Sequence, residues 1–237
     1  MYRSTPFSYA VTPTKGDIDP TEGIIHAKSI ANEIASSSLN ERPTKVYCSP
    51  FLRTTHTASI IASRLSKPVY VEDGFYEYLI PSLLVDRNGT RTYPRSVSKL
   101  KMSFDNIDDS YKTQNPITEE MFPETESALI ERCRRTLDRV LEHSDGENIV
   151  IVAHAPCVQA LAFIMEGMES PEQSKLSKWP LGGITRFSFD SNRSQWHMDF
   201  YGTTEHMPGE YKFGMGLWSL PCFEKVAGET TEHLALK

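Results

Sequence analysis

The run Ile149-Val150-Ile151-Val152-Ala153 constrains this chain more than any other stretch. It is apolar throughout, with Glu147-Asn148 before it and His154-Ala155-Pro156 after it. A strand with one wet face alternates polar and apolar residues. An unbroken apolar strand is buried on both faces, hence central in its sheet and parallel to its neighbours. Parallel strands need crossover connections, usually helices, so this run alone predicts an α/β protein.

The flanking segments agree. Residues 46–48 and 69–71 are short apolar strand candidates, separated by Leu52, Ala58, Ile61 and Leu65 at helical spacing up to Pro68. A helix is predicted from Pro20, a favoured first-turn residue, with Asp19 as its cap and Ile24, Ala27, Ile30 and Ile34 on one face. Pro123 and Glu124 are expected to lead a long amphipathic helix through Leu129, Cys133, Leu137, Val140 and Leu141. Val158, Leu161, Ala162 and Met165 mark another, closing at Gly167. Residues 184–189 and 195–200 read as strands joined by a hairpin at Asp190-Ser191-Asn192. In the second, Trp196, Met198 and Phe200 alternate with polar residues, as suits a strand near an edge. The fold class is a three-layer α/β/α arrangement with a mostly parallel central sheet.

Two stretches resist this reading. Residues 1–20, rich in Thr, Pro and Ser, read as an irregular arm. Residues 79–122 form a long loop-rich insertion punctuated by Pro81, Asn88-Gly89, Pro94 and Pro116. Two readings of it stand: a cover over a site, or plain surface loop.

At 237 residues with ordinary apolar content, the chain is expected to be one domain, 1–237. A net charge of −6 argues against a nucleic-acid partner, which needs a basic face. It leaves a small phosphorylated substrate open, because one or two arginines dominate the field of a cleft. No apolar run approaches a membrane span, and the start of the chain has no hydrophobic signal core. Cys48, Cys133, Cys157 and Cys222 form no Cys-x-x-Cys pair, so neither zinc nor a disulfide scaffold is expected. A cytoplasmic protein with free thiols follows.

Three residues carry chemistry. Arg53 is expected in the first turn of the helix entered through Ser49-Pro50, where free N–H groups favour an anion. A surface ion-pairing arginine is the competing reading. His154 ends the central strand at its carboxyl end, just where open α/β sheets bind ligands. There it could bond a phosphate or move a proton, or simply hold a neighbouring carbonyl. Glu77 lies among aromatics in Gly74-Phe75-Tyr76-Glu77-Tyr78. An apolar setting would raise its pKa and suit it to general-acid work; an ordinary exposed glutamate is the alternative. His26 and His56 read as structural. His143, His197, His206 and His233 lack metal-ligand spacing, and the glycines near Tyr211–Trp218 form no nucleotide loop.

Together, residues 46–53, the Val71-Glu72 stretch with Gly74 and Glu77, and residues 149–155 resemble the histidine phosphatase (phosphoglycerate-mutase-like) superfamily, most closely its TULA/Sts-type phosphatase domains. The resemblance covers roughly residues 19 to 220 and implies a phosphoglycerate-mutase-like sheet. It implies that Arg53 grips phosphoryl oxygens, that Glu77 protonates the leaving group, and that His154 steadies the transferring phosphoryl group. No metal or other cofactor is implied, and homodimers would fit. The substrate class is a phosphomonoester, phosphotyrosyl protein or small metabolite. In that family a first histidine, in an Arg-His-Gly strand, forms a phosphohistidine that water then hydrolyses. No Arg-His-Gly occurs here, and Tyr2-Arg3-Ser4 supplies no histidine. The first strand is therefore expected to be missing: either another segment fills its slot, or the chain is a shortened isoform or truncated gene model. Catalysis is expected to be impaired, and a catalytically inactive binding or dimerisation scaffold is the alternative.

Overall fold

The computed structural model describes residues 7–11, 20–85, 88–171, 176–214 and 216–224. In chain order the elements are β1 (Phe7–Val11), α1 (Pro20–Ser36), β2 (Lys45–Cys48), α2 (Leu52–Leu65), β3 (Val69–Val71), α3 (Pro81–Leu84), α4 (Val97–Lys101), α5 (Glu126–Ser144), β4 (Ile149–Val152), α6 (Ala155–Met165), β5 (Ile184–Asp190) and β6 (Gln195–Thr203). The six strands form one sheet in the order β3-β2-β4-β1-β5-β6. β3, β2, β4 and β1 run parallel, and β5 and β6 follow as an antiparallel pair at one edge.

The apolar run around β4 behaves as its composition demands. Ile149 and Ile151 face a core built with Leu129, Cys133, Leu137 and Val140 of α5 and Val158, Leu161 and Ala162 of α6. Val150 and Val152 face the opposite core, with Ile30, Ala31 and Ile34 of α1 and Ala58, Ile61 and Ala62 of α2. Side chains alternate across a strand, so one continuous run feeds two layers of helix. Each fully buried Val, Ile or Leu contributes about 1.5–3 kcal/mol, which makes these two cores the main stabilising term.

The strand expected to be missing is present. Phe7–Val11 lies between β4 and β5, with Val11 opposite Val152 on one side and Ile184 on the other. The irregular-arm reading fails for these five residues. Backbone N–H and C=O groups of β4 left unpaired in the core would each cost about as much as a lost hydrogen bond. Any short segment able to extend can satisfy them, whatever motif it carries. The residues after Val11 are Thr12-Pro13-Thr14, and the first histidine of the chain is His26. Asp19, expected to cap α1, falls outside the described residues.

One helix boundary also differs. α5 starts at Glu126 rather than at Pro123, because Thr125 caps it by accepting from the Ala128 N–H at 3.2 Å. Glu124 is freed from the helix and turns inward. The 79–122 segment carries α3 and α4 and is far from uniform loop. Leu100 and Ile107 pack into the α1/α2 core, whereas Leu79, Leu84, Ile117, Met121 and Phe122 pack around Phe51 and Tyr76.

Candidate active site

The ends of three parallel strands set the stage. Cys48 of β2 is in register with Val71 of β3 and Val152 of β4, so the residues just beyond them emerge side by side. Ser49 follows β2, Glu72 follows β3, and Ala153-His154 follow β4.

α2 begins at once. The Thr54 and Thr55 hydroxyls fold back to donate to the Ser49 and Phe51 carbonyls at 2.7–3.2 Å, which fixes the entry turn and points Arg53 outward at the strand ends. His154 takes the N-cap position of α6 but makes no side-chain cap bond. Its imidazole is left free for the site. The N-cap residues of the two helices touch: the rings of Phe51 and His154 lie 5.2 Å apart, edge to face. Two helix N-termini thus converge, each presenting backbone donors and a positive dipole end.

Glu77 arrives on a loop held from three sides. Glu72, fully buried, accepts from the Gly74 N–H at 3.0 Å and the Asn115 N–H at 3.1 Å, and from the Tyr111 and Thr113 hydroxyls at 2.6 Å. Arg132 of α5 donates to the Gly74 carbonyl at 2.8 Å and the Tyr76 carbonyl at 3.0 Å. Its other edge meets Glu124, Nε to Oε1 and Nη2 to Oε2, both at 2.8 Å. Glu124 in turn accepts from the Leu79 N–H at 3.2 Å. The Cys157 thiol of α6 donates to the Tyr76 carbonyl at 2.9 Å.

The outcome is a tight cluster of the three expected residues. Arg53 Nη2 donates to Glu77 Oε2 at 2.7 Å and lies 2.8 Å from His154 Nδ1. His154 Nδ1 is 3.0 Å from the same carboxylate oxygen. On its far side, Nε2 is 2.8 Å from Ser49 Oγ. The side chains of His154 and Glu77 are buried at 2% and 9% exposure, while Arg53 keeps 28%, so Arg53 is the member of the cluster that meets solvent. Arg53 also lies over the Phe51 ring, 4.9 Å from its centre.

Burial among aromatics does push the Glu77 carboxyl up, as the sequence suggests, but it does not win. The His154 imidazole and the Arg53 guanidinium outweigh it and hold the carboxyl down at about 2. The expectation of a raised Glu77 is therefore corrected: without ligand it is a carboxylate. Burial lowers His154 below its ordinary value, with Glu77 opposing and Arg53 reinforcing the shift, and we take the ring as neutral near pH 7. A cluster with one fixed cation, one carboxylate and one neutral imidazole is close to balanced. It can accept an oxyanion if Arg53 turns its fork towards it.

Sequence reasoning missed Glu72, Glu124, Arg132 and Ser49. Charged residues are rarely fully buried, so nothing in the spacing of the first three singles them out, and a lone serine before a helix reads as part of its entry turn. Among the described residues, no group of three or more His, Cys, Asp or Glu side chains is arranged to hold a metal, and no helix is long and apolar enough to cross a membrane.

The fold is of the phosphoglycerate-mutase-like class. The chain belongs to the histidine phosphatase superfamily (branch 1), which it matches over residues 21–202. It is 29% identical over 175 residues to the transcription factor tau 55 kDa subunit of Saccharomyces cerevisiae, covering 71% of this chain and 39% of that protein. It is 27% identical over 161 residues to the ubiquitin-associated and SH3 domain-containing protein B of Homo sapiens, covering 65% of this chain and 23% of that one. The chain thus spans well under half the length of both relatives. The second relative fits the TULA/Sts-type resemblance. In fold it is similar to the ecdysone phosphate phosphatase of Bombix mori, solved with tungstate, at a TM-score of 0.58 and 14% identity, covering 82% of this chain and 92% of that one.

Proposed function

We propose that the chain is a single histidine-phosphatase-like domain whose site binds phosphomonoesters through Arg53 and His154 but turns them over poorly. The observation that carries this reading is the Arg53–Glu77–His154 cluster together with a β1 segment, Phe7–Val11, that contains no histidine and is followed in sequence by Thr12-Pro13-Thr14. Arg53 would take the phosphoryl oxygens as a bidentate fork, and His154 would add a second donor. Bound phosphate would draw Arg53 away and set negative charge beside Glu77, raising its pKa towards that of a usable acid. The step without a candidate is nucleophilic attack, because in-line geometry at phosphorus is demanding and no other imidazole among the described residues joins this cluster.

The ligand in this reading is a phosphotyrosyl protein or a small phosphorylated metabolite, met in the cytoplasm by a chain that can form homodimers. The ecdysone phosphate phosphatase named above supports the class of ligand. A catalytically inactive scaffold is a second reading, favoured by the relative that is a transcription factor subunit. Turnover of p-nitrophenyl phosphate by the pure chain decides the catalytic point. Background turnover is expected. Robust turnover abolished by His154→Ala would overturn the reading in favour of a working phosphomonoesterase.

A further inference from the structure

Ser49 is one of several fully buried polar residues around the site. It has no exposed surface, and its backbone is fixed at both ends. Its N–H donates to the Val152 carbonyl at 3.0 Å, and its own carbonyl accepts the Thr54 and Thr55 hydroxyls at 2.9 and 3.2 Å. The side-chain hydroxyl has one hydrogen-bond partner among the described residues, His154 Nε2 at 2.8 Å.

A buried hydroxyl proton without an acceptor costs about 1–3 kcal/mol. The hydroxyl can rotate to suit its neighbour, so the O–H donates to Nε2. A neutral imidazole that accepts at Nε2 carries its hydrogen at Nδ1. That hydrogen faces Glu77 Oε2 at 3.0 Å, an acceptor already shared with Arg53 Nη2 at 2.7 Å. The opposite tautomer would strand the Ser49 proton. It would also set the Nδ1 lone pair against a carboxylate oxygen at the same 3.0 Å. Against these two costs it gains a bond from Arg53 Nη2 to Nδ1 at 2.8 Å, a contact that the Nδ1–H form accommodates by aiming both donors at Glu77 Oε2.

The chain Ser49–His154–Glu77 has the connectivity of a serine-hydrolase triad. Ser49 is nevertheless no nucleophile: it is wholly buried, on the edge of the ring turned away from Arg53. Its role is positional. We infer that the Ser49 hydroxyl, by occupying Nε2, makes His154 a neutral hydrogen-bond donor at Nδ1, so the site can hold an oxyanion without protonating the imidazole. This rests on the phosphoester reading given above. The charged groups facing the ring, among the described residues, are Glu77, Arg53 of α2 and Arg132 of α5.

The test has two arms. Long-range proton–nitrogen NMR of the His154 ring in the unsubstituted protein reads the tautomer directly, with or without ligand. The hydrogen at Nδ1 supports the inference, and a dominant Nε2–H form overturns it. The second arm titrates tungstate, a dianion throughout the range used, between about pH 6 and about pH 8. The unsubstituted chain should bind with little pH dependence. Ser49→Ala should bind about tenfold more weakly at the upper end and recover as pH falls, because the neutral ring, no longer held at Nε2, shifts towards the Nε2–H form, and protonation restores the donor at Nδ1. Ser49→Thr, which keeps the hydroxyl, should restore the flat profile. A Ser49→Ala profile parallel to that of the unsubstituted chain would overturn the inference while leaving the phosphoester reading intact. Absence of tungstate binding in the unsubstituted chain would overturn that reading itself, and the ring tautomer would still decide the role of Ser49.

Discussion

Arg132 and Glu124 form a two-pronged ion pair at 2.8 Å, with both side chains 3% exposed or less, and the guanidinium edge not used by Glu124 clamps the loop that carries Glu77. The pair therefore couples α5 to the site, although neither residue touches Arg53 or His154. Taking two charges out of water is expensive, and removing one partner leaves the other uncompensated. Arg132→Ala is expected to destabilise the fold by about 3–5 kcal/mol in urea unfolding. A paired Arg132→Met, Glu124→Leu exchange should cost clearly less than Arg132→Ala, because no charge is then stranded.

Gly74 packs directly beneath Thr136 of α5. A Cβ at position 74 would fall inside the Thr136 side chain, 2.9 Å from its Cβ. The Thr136 hydroxyl cannot move away freely, since it donates to the Arg132 carbonyl at 2.7 Å and accepts from Asn115 at 2.8 Å. Gly74→Ala should lower stability by about 1–3 kcal/mol. Combining it with Thr136→Ala should give less than the sum of the two single losses, measured as a double-mutant cycle.

Asp73 is held high, at about 6, by burial and by the neighbouring Glu72 carboxylate. Its folded-state value lies above its ordinary 3.8, so the folded chain binds more protons in between, and its contribution worsens as pH rises through that window. Asp73→Asn should raise the melting temperature near neutral pH, with a gain of about 1 kcal/mol, and do little near pH 4. An equal effect at both pH values would contradict this.

The site itself should be acid-sensitive in two stages. His154 is lowered in the fold, so the unfolded chain takes up a proton first, and stability declines as pH drops below 6.5. Glu77 is lowered to about 2, so its contribution is intact above its ordinary 4.5 and is lost between there and about 2. Glu77→Gln should remove the lower stage from a stability-versus-pH curve and leave decline below 6.5 in place.

Much of this was legible beforehand because local pattern and tertiary role coincided. Residues 149–153 announced a doubly buried strand, and β4 is one; Arg53 and His154 stood at element ends, where sheets of this kind gather ligands. β1 was illegible because Phe7-Ser8-Tyr9-Ala10-Val11 sits in a stretch of turn formers, and its strand character comes from partners about 140 and 175 residues away. The direction of the Glu77 shift is hidden from the sequence for a related reason. Its aromatic neighbours are adjacent in sequence, but the two groups that outweigh them lie 24 and 77 residues further off, Arg53 before it and His154 after it. Glu124 reads in the sequence as the start of a helix, since only the fold reveals the arginine eight residues on as its partner.

The most direct test of the account is calorimetric titration of inorganic phosphate into the pure chain and into Arg53→Ala. The account predicts saturable binding by the unsubstituted protein and at least a tenfold loss of affinity in the variant, since a charge-assisted fork is removed. Identical isotherms for the two proteins, or no binding by either, would contradict it.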